Sequence, residues 1–458
     1  ANLNLLYGRL YFDYLETGTR TSAGGARRER RVTVDEHGDN FEIGGDYELD
    51  LGVGRLKLIA VGRGSQYPNE ILVVSSAPGE PVAGFRTTQD SESREMIART
   101  EYRWTRGTDE LQLSAEGAFN SLDNASRLFE MNAPGSFVEI PLPGGTASVE
   151  EDRYEVMGSW GRPLSSAVTA KLSAGGEYSQ LAQVGAGGTT RTFYRPKGEL
   201  SVSWKASPHD DVNFKLARRV GQLNFYDFLA SVDIQDDQET AANPDLVPEQ
   251  SWDLESEWAR NLGARGSTTV RLYARLIDDI IDYIPIGENG QAPGNLDQAT
   301  VYGIETRGTL NLDSVGWAGA RLDAEAQLQE SEVEDPLTGE TRNISDSLLR
   351  MGSLSLRHDI PGSEWAWGGG ASYQYYALSY RLTEVGRMWE GPVWAQLYAE
   401  HKNVRGLTVR AQVGNILGAM SMWDRTIHAG LRTDPIEAIE KRDRTIGPIF
   451  SFQIRGKF

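Results

Sequence analysis

The sequence predicts an all-β chain folded as a transmembrane antiparallel β-barrel, and three observations carry that reading. Apolar and polar residues alternate with period two along segment after segment, short and long connections alternate between those segments, and the final segment ends on an aromatic residue. A period of two places successive side chains on opposite faces of a strand, so each segment presents one apolar and one polar face.

Phe41 to Leu51 shows the alternation best. Phe41, Ile43, Gly45, Tyr47, Leu49 and Leu51 share one face, while Glu42, Gly44, Asp46, Glu48 and Asp50 share the other. A helix mixes these residues around its circumference; a strand between lipid and a watery lumen separates them. A tight turn at Gly52-Val53-Gly54 leads to Leu56, Leu58, Ala60 and Gly62, with Lys57 and Arg63 among the alternate positions, so the two segments read as a hairpin. The pattern returns at Leu111, Leu113, Ala115; at Val168, Ala170, Leu172; at Val270, Leu272, Ala274, Leu276; at Val393, Ala395, Leu397, Ala399; and at Leu407, Val409, Ala411, Val413.

Tight turns are expected at Arg106 to Asp109, Pro163 to Ser166, Ser207 to Asp210, Gly263 to Gly266, Pro361 to Glu364 and Asn403 to Gly406. Between them, Leu122 to Ser148, Gly221 to Val247, Gln329 to Ser345 and Met420 to Thr445 are rich in Asp, Glu, Asn, Gly and Pro and read as long loops. Short turns at one end and long loops at the other is the plan of bacterial outer-membrane barrels, whose long loops face outward. About 18 strands are readable, each with the roughly 9 to 11 residues that a tilted strand needs to cross a bilayer. Trp252 and Trp258 share a face and suit the aromatic girdles at the two membrane surfaces. Gly368, Gly369 and Gly370 lie in strand-like sequence, where glycine permits close packing or bending of the wall. In the last strand Phe450, Phe452, Ile454 and Phe458 alternate with Ser451, Gln453, Arg455 and Lys457.

Composition narrows the function. The 458 residues include 39% apolar residues, enough to fold, and no Cys, which excludes thiol catalysis and Cys-based zinc sites. Mean hydropathy of -0.45 has the value of a soluble protein, but a barrel with one apolar face averages to the same figure. A net charge of -19 opposes nucleic acid, whose binding depends on neutralising phosphates. His37, His209, His358, His401 and His428 are dispersed without ligand spacing, so neither a metal nor another cofactor is expected. No Gly-x-Ser-x-Gly element or comparable signature is present, and the chain is not expected to be an enzyme. The acidic stretch Asp233, Asp236, Asp237 and Glu239 reads as a solvated loop or as a site for a hard cation. Beside it, Phe225, Tyr226 and Phe228 read either as rings that stack on a substrate or as packing that holds the loop to the barrel rim.

Two motifs resemble a known family. Asn243, Pro244, Leu246, Pro248 and Glu249, within NPDLVPEQSWDLESE, are similar to the NP-x-L-x-PE segment that opens a mid-barrel strand in TonB-dependent outer-membrane receptors. Physically, the two prolines fix extended geometry just ahead of Trp252 and Leu254. Val413 to Gly418 (VGNILG) resembles the penultimate strand of the same family, and Gly456 with the terminal Phe458 resembles its barrel-assembly signal.

The resemblance spans nearly the whole chain and implies a Gram-negative outer-membrane receptor for active uptake of a siderophore, vitamin or oligosaccharide. It also implies partners: membrane lipid and lipopolysaccharide, the barrel-assembly machinery, and a TonB complex reached through a plug. Family barrels have about 22 strands around that plug. No plug or TonB box is recognisable here, so residues 1–458 read first as the barrel domain of a longer chain, with further strands hidden in the first segments and a naturally plugless homologue as the other open readings. A passive or sugar-selective porin is the alternative, and a soluble all-β adhesion protein the third reading; the NP-x-L-x-PE segment speaks against the porin.

Overall fold

The computed structural model describes residues 1–21, 24–184, 188–287 and 290–456. Its main sheet has 20 strands. Two of these, Ser136–Ile140 and Thr341–Arg342, are short pairings inside loops, which leaves 18 that run up and down in sequence order. They are Asn2–Thr21, Arg27–Leu51, Gly54–Ser76, Ala83–Arg106, Asp109–Ala133, Thr146–Pro163, Val168–Val184, Thr190–Lys205, Asp210–Val220, Gln250–Asn261, Gly266–Ile286, Gly290–Asn311, Ala320–Glu334, Leu348–Asp359, Trp365–Tyr376, Trp394–Val404, Leu407–Gly414 and Ile449–Arg455. Each is antiparallel to the next.

The turns predicted from sequence all lie at one end. Leu51 pairs with Gly54 and Arg106 with Asp109 across two-residue turns. Arg405 and Gly406 both have positive φ (55° and 86°), the backbone of the tight hairpin that matches strand twist. Strand faces follow the alternation as well. Phe41, Ile43, Tyr47, Leu58, Met96, Leu113, Leu172, Leu200, Trp252, Leu254, Leu272 and Leu397 are large apolar side chains exposed on the outside of the wall. In a lipid bilayer this outer face is solvated by acyl chains. Trp104, Trp204, Trp258 and Trp365 sit on different strands just before or after the tight turns and form the lower girdle, whereas Trp252 lies farther up the wall.

The inner face is charged and paired across strands. Glu42 meets Arg63 at 2.8 Å, Lys197 bridges Glu155 (2.6 Å) and Glu177 (2.7 Å), and Arg357 and Arg410 converge on Glu400 at 2.7 and 2.9 Å. Such cross-strand pairs hold register and keep the lumen polar. Between them the glycine run packs tightly: a Cβ at Gly368 would run into the carbonyl oxygen of Leu356 and the Tyr398 hydroxyl.

Two stretches read as loops are largely strand. Asp109–Ala133 carries the sheet well past Leu122, and Met420–His428 with Ile436–Thr445 joins Ser379–Tyr380 and Glu384–Gly391 in a separate four-stranded sheet. The first strands have 20 to 25 residues, far beyond the length that crosses a bilayer. Above the membrane the outward positions meet water, so Phe119 gives way to Ser121, Asp123 and Arg127 and the apolar alternation stops although the strand does not.

Where wall and rim sheet meet, Asn415 takes φ of 52° and is buried. Its amide nitrogen donates to Ala419 O (2.9 Å) and Ile446 O (2.6 Å), and its Oδ1 accepts from Ala419 N (2.6 Å), tying two broken strands together. Asn tolerates this left-handed backbone, and Ala would leave buried backbone groups unpaired. Asn415→Ala is therefore expected to cost about 2–3 kcal/mol, read as early loss of amide protection at 419–428 while the lower wall stays protected.

Asn2–Thr21 and Ile449–Arg455 are each paired on one side only, and among the described residues no backbone ladder joins them. Their surroundings meet at the long-loop end, where Arg20 binds Glu440 and Glu16 binds Arg444, both at 2.7 Å.

Candidate functional site

The segment Gly221 to Glu249 folds across the lumen at the long-loop end. Its base is closed by Gly221 N donating to Glu249 O at 2.8 Å. One turn of 3₁₀ helix follows, Phe225–Phe228, capped by Asn224, whose side chain accepts from Tyr226 N at 3.2 Å. Phe228 is 0% exposed and packs with Leu223, Leu246, Val149 and Leu181, so this turn is anchored on two wall strands. The chain then runs on to the neighbouring stretch of wall, where Ile234 enters a cluster with Val32, Val34, Val73 and Leu128.

Arginines answer the acidic stretch. Arg442 binds Asp236 at 2.7 Å, and buried Arg425 donates to Asp236 O (2.6 Å), Glu384 (3.0 Å) and Glu440 (2.5 Å). Asp233 caps its own turn by accepting from Gln235 N (2.8 Å) and Asp236 N (3.2 Å). Among the described residues no group of three or more His, Asp and Glu is placed to hold a metal ion.

The NP-x-L-x-PE residues form the return limb. Asn243 is buried, donates to Pro293 O (2.8 Å) and caps Asp245 N (2.9 Å). Leu246 is fully buried beside Phe228. Asn295 brackets Val247 by accepting from its N and donating to its O, both at 2.9 Å. Pro248 and Glu249 lead into Gln250–Asn261. The motif thus fastens the crossing loop. Gly456 directly follows the last strand, while Phe458 lies outside the described residues.

A second cluster locks neighbouring loops. Buried Arg342 reaches Asp335 (2.7 Å) and Asp282 (2.9 Å), and Arg432 reaches Asp335 at 2.6 Å. Burial alone would push the Asp335 carboxyl up, but the guanidiniums of Arg342 and Arg432 and the N–H groups of Thr338 and Leu337 outweigh it and hold it at about 2. A carboxyl with a lowered folded pKa stabilises above its ordinary value near 4, and that gain disappears as pH falls towards 2. The contribution is about 2 kcal/mol. The opening free energy at 335–342, read as hydrogen exchange relative to the intrinsic rate at each pH, is therefore expected to be flat from neutral pH to about pH 5 and to fall between roughly 4 and 2. Asp227 runs the other way: burial pushes it up to about 6, so seating of the Phe225–Phe228 turn strengthens as pH falls from about 6 to about 4.

Between the crossing loop and the wall lies a cavity of about 570 Å³. Tyr67, Gln89, Ser91 and Asn124 line it from the wall, Tyr226 and Asp227 from the loop, and Tyr283 from the strand Gly266–Ile286. The three aromatic residues singled out in the sequence therefore separate: Phe228 and Phe225 pack the loop, and Tyr226, 45% exposed, faces the cavity. Sequence reasoning missed Arg425, Arg442 and Arg342, each of which reaches a partner 41 to 206 residues away, and no local spacing marks them.

Residues 2–416 match the family described as TonB dependent receptor-like, beta-barrel. The chain belongs to that family. Among solved structures it is similar to the copper transporter OprC, with TM-score 0.60 and 11% identity over 99% of this chain and 79% of that one. It is also similar to the unliganded ferric citrate transporter FecA (TM-score 0.59, 11% identity, 99% and 77% covered) and to the FrpB iron transporter from Neisseria meningitidis (0.56, 9%, 98% and 81%). At these identities the likeness is one of fold. No curated protein matches this TonB-dependent receptor barrel in sequence.

Proposed function

We propose that the chain is the wall of an outer-membrane receptor that captures a scarce nutrient at the cell surface and passes it inward with energy delivered through TonB. The observation that carries this reading is the family match over residues 2–416, joined to a long loop at the mouth fastened at two places on the wall. Lipid and lipopolysaccharide surround the apolar belt, and Gly456 and Phe458 serve as the assembly signal for the barrel machinery. Contact with TonB runs through a plug, which none of the described strands forms. The neighbours' names speak of copper, ferric citrate and iron; a metal chelate, a vitamin and an oligosaccharide are the classes in view for this chain. Deleting the gene in its host is expected to slow growth on one limiting nutrient, with growth restored by a plasmid copy. Loss of general small-solute permeability with no nutrient-specific defect would favour the porin.

A further inference from the structure

The cavity beneath the crossing loop holds carboxylates that, among the described residues, arginine does not answer. Asp236, Asp335, Glu384 and Glu440, all in the outer loops and rim sheet, are each held by arginine at 2.5 to 3.0 Å. Asp227, half-buried in the cavity, is met by the Asn224 amide at 3.4 Å, and among the described residues neither it nor Glu36, also in the lining, has an ion pair. Arg127 is the basic residue in the lining, and its position has the outward parity of Leu111 and Leu113 on the same strand. The space therefore presents two carboxylates that, among the described residues, no ion pair neutralises. Its other groups include tyrosine rings, which pair an apolar face with a hydroxyl, the amide and hydroxyl groups of Gln89, Asn124 and Ser91, and the apolar side chains of Ile71, Leu142, Leu229 and Val232. A volume of about 570 Å³ fits a small organic ligand.

We propose that this cavity binds a hydroxyl-rich molecule of disaccharide size carrying a protonated amine, an amino sugar, with the amine against Asp227 and a ring face against Tyr226. The proposal rests on the uptake reading, since the ligand is what the receptor captures, and it sets the cavity against polyanionic metal chelates. A charged ligand amine supplies the partner that Asp227 lacks, and the amides and hydroxyls replace the water around the sugar hydroxyls.

The test is calorimetric titration of the purified, detergent-solubilised chain with glucosamine disaccharide and with its N-acetylated, uncharged counterpart, strand content being checked by circular dichroism. The free amine is expected to bind at least about tenfold more tightly, equivalent to about 1.4 kcal/mol. Asp227→Asn should erase that preference and keep weak binding of both sugars, while Tyr226→Ala should weaken both. Equal or reversed affinities, no binding of either sugar, or a preference that survives in Asp227→Asn would overturn the assignment. The readout does not involve transport: binding without any nutrient-specific growth defect counts against the uptake reading, and a growth defect without binding counts against this one.

Discussion

Arg342→Ala is expected to cost the outer loops about 3–5 kcal/mol, because it strips the shared cation from two buried carboxylates. Among the described residues Asp282 then keeps backbone donors alone, Tyr283 N at 2.8 Å and Ser345 N at 3.3 Å, and Asp335 keeps Arg432. The loss should be local: amides around 335–347 and 429–434 lose protection and become open to protease, while the ladder of the lower wall persists. A control separates charge from packing. Arg342→Met combined with Asp335→Asn and Asp282→Asn removes the charges together and should cost less than Arg342→Ala alone, since a removed network leaves nothing unpaired. A larger loss in the triple variant would contradict this account of the cluster.

Phe228→Ala should release the crossing loop. The side chain is fully buried among Val149, Leu181, Leu223 and Leu246, and truncating a ring in such a site costs about 3–5 kcal/mol. That is comparable with the whole anchoring of one limb, so protease cleavage between Asp233 and Glu239 is expected to rise sharply while the barrel keeps its strand content. Tyr226→Ala, two residues earlier and facing the cavity, should cost under about 1 kcal/mol, because little buried surface is lost. Equal protease sensitivity in the two variants would contradict the division of roles between packing ring and cavity ring.

That division was only half legible in the sequence. Phe225, Tyr226 and Phe228 stood out as a cluster beside acidic residues, but which ring turns inward depends on the single 3₁₀ turn that Asn224 caps. Wall strands were legible because the lipid and the lumen impose a period of two on every crossing, as from Phe41 to Leu51, and the two-residue turns at Gly52 and Gly107 are local signals. Strands above the membrane lose that signal, which is why Asp109–Ala133 and Met420–His428 look like loop from Leu122 and Met420 onward. The arginines that hold the acidic stretch were illegible for a different reason: Arg442 and Asp236 are 206 residues apart, and only the folded chain brings them together.

The central claim is that this wall serves energised uptake and not passive diffusion. Once the limiting nutrient is known from the deletion strain, its initial uptake rate in cells carrying the gene can be measured with and without an uncoupler of the proton gradient, and again in a strain lacking TonB. Uptake that saturates and falls to the background of the deletion strain in both conditions is the predicted result. Uptake that rises linearly with concentration and is indifferent to both would contradict the account and assign the barrel to the passive channels.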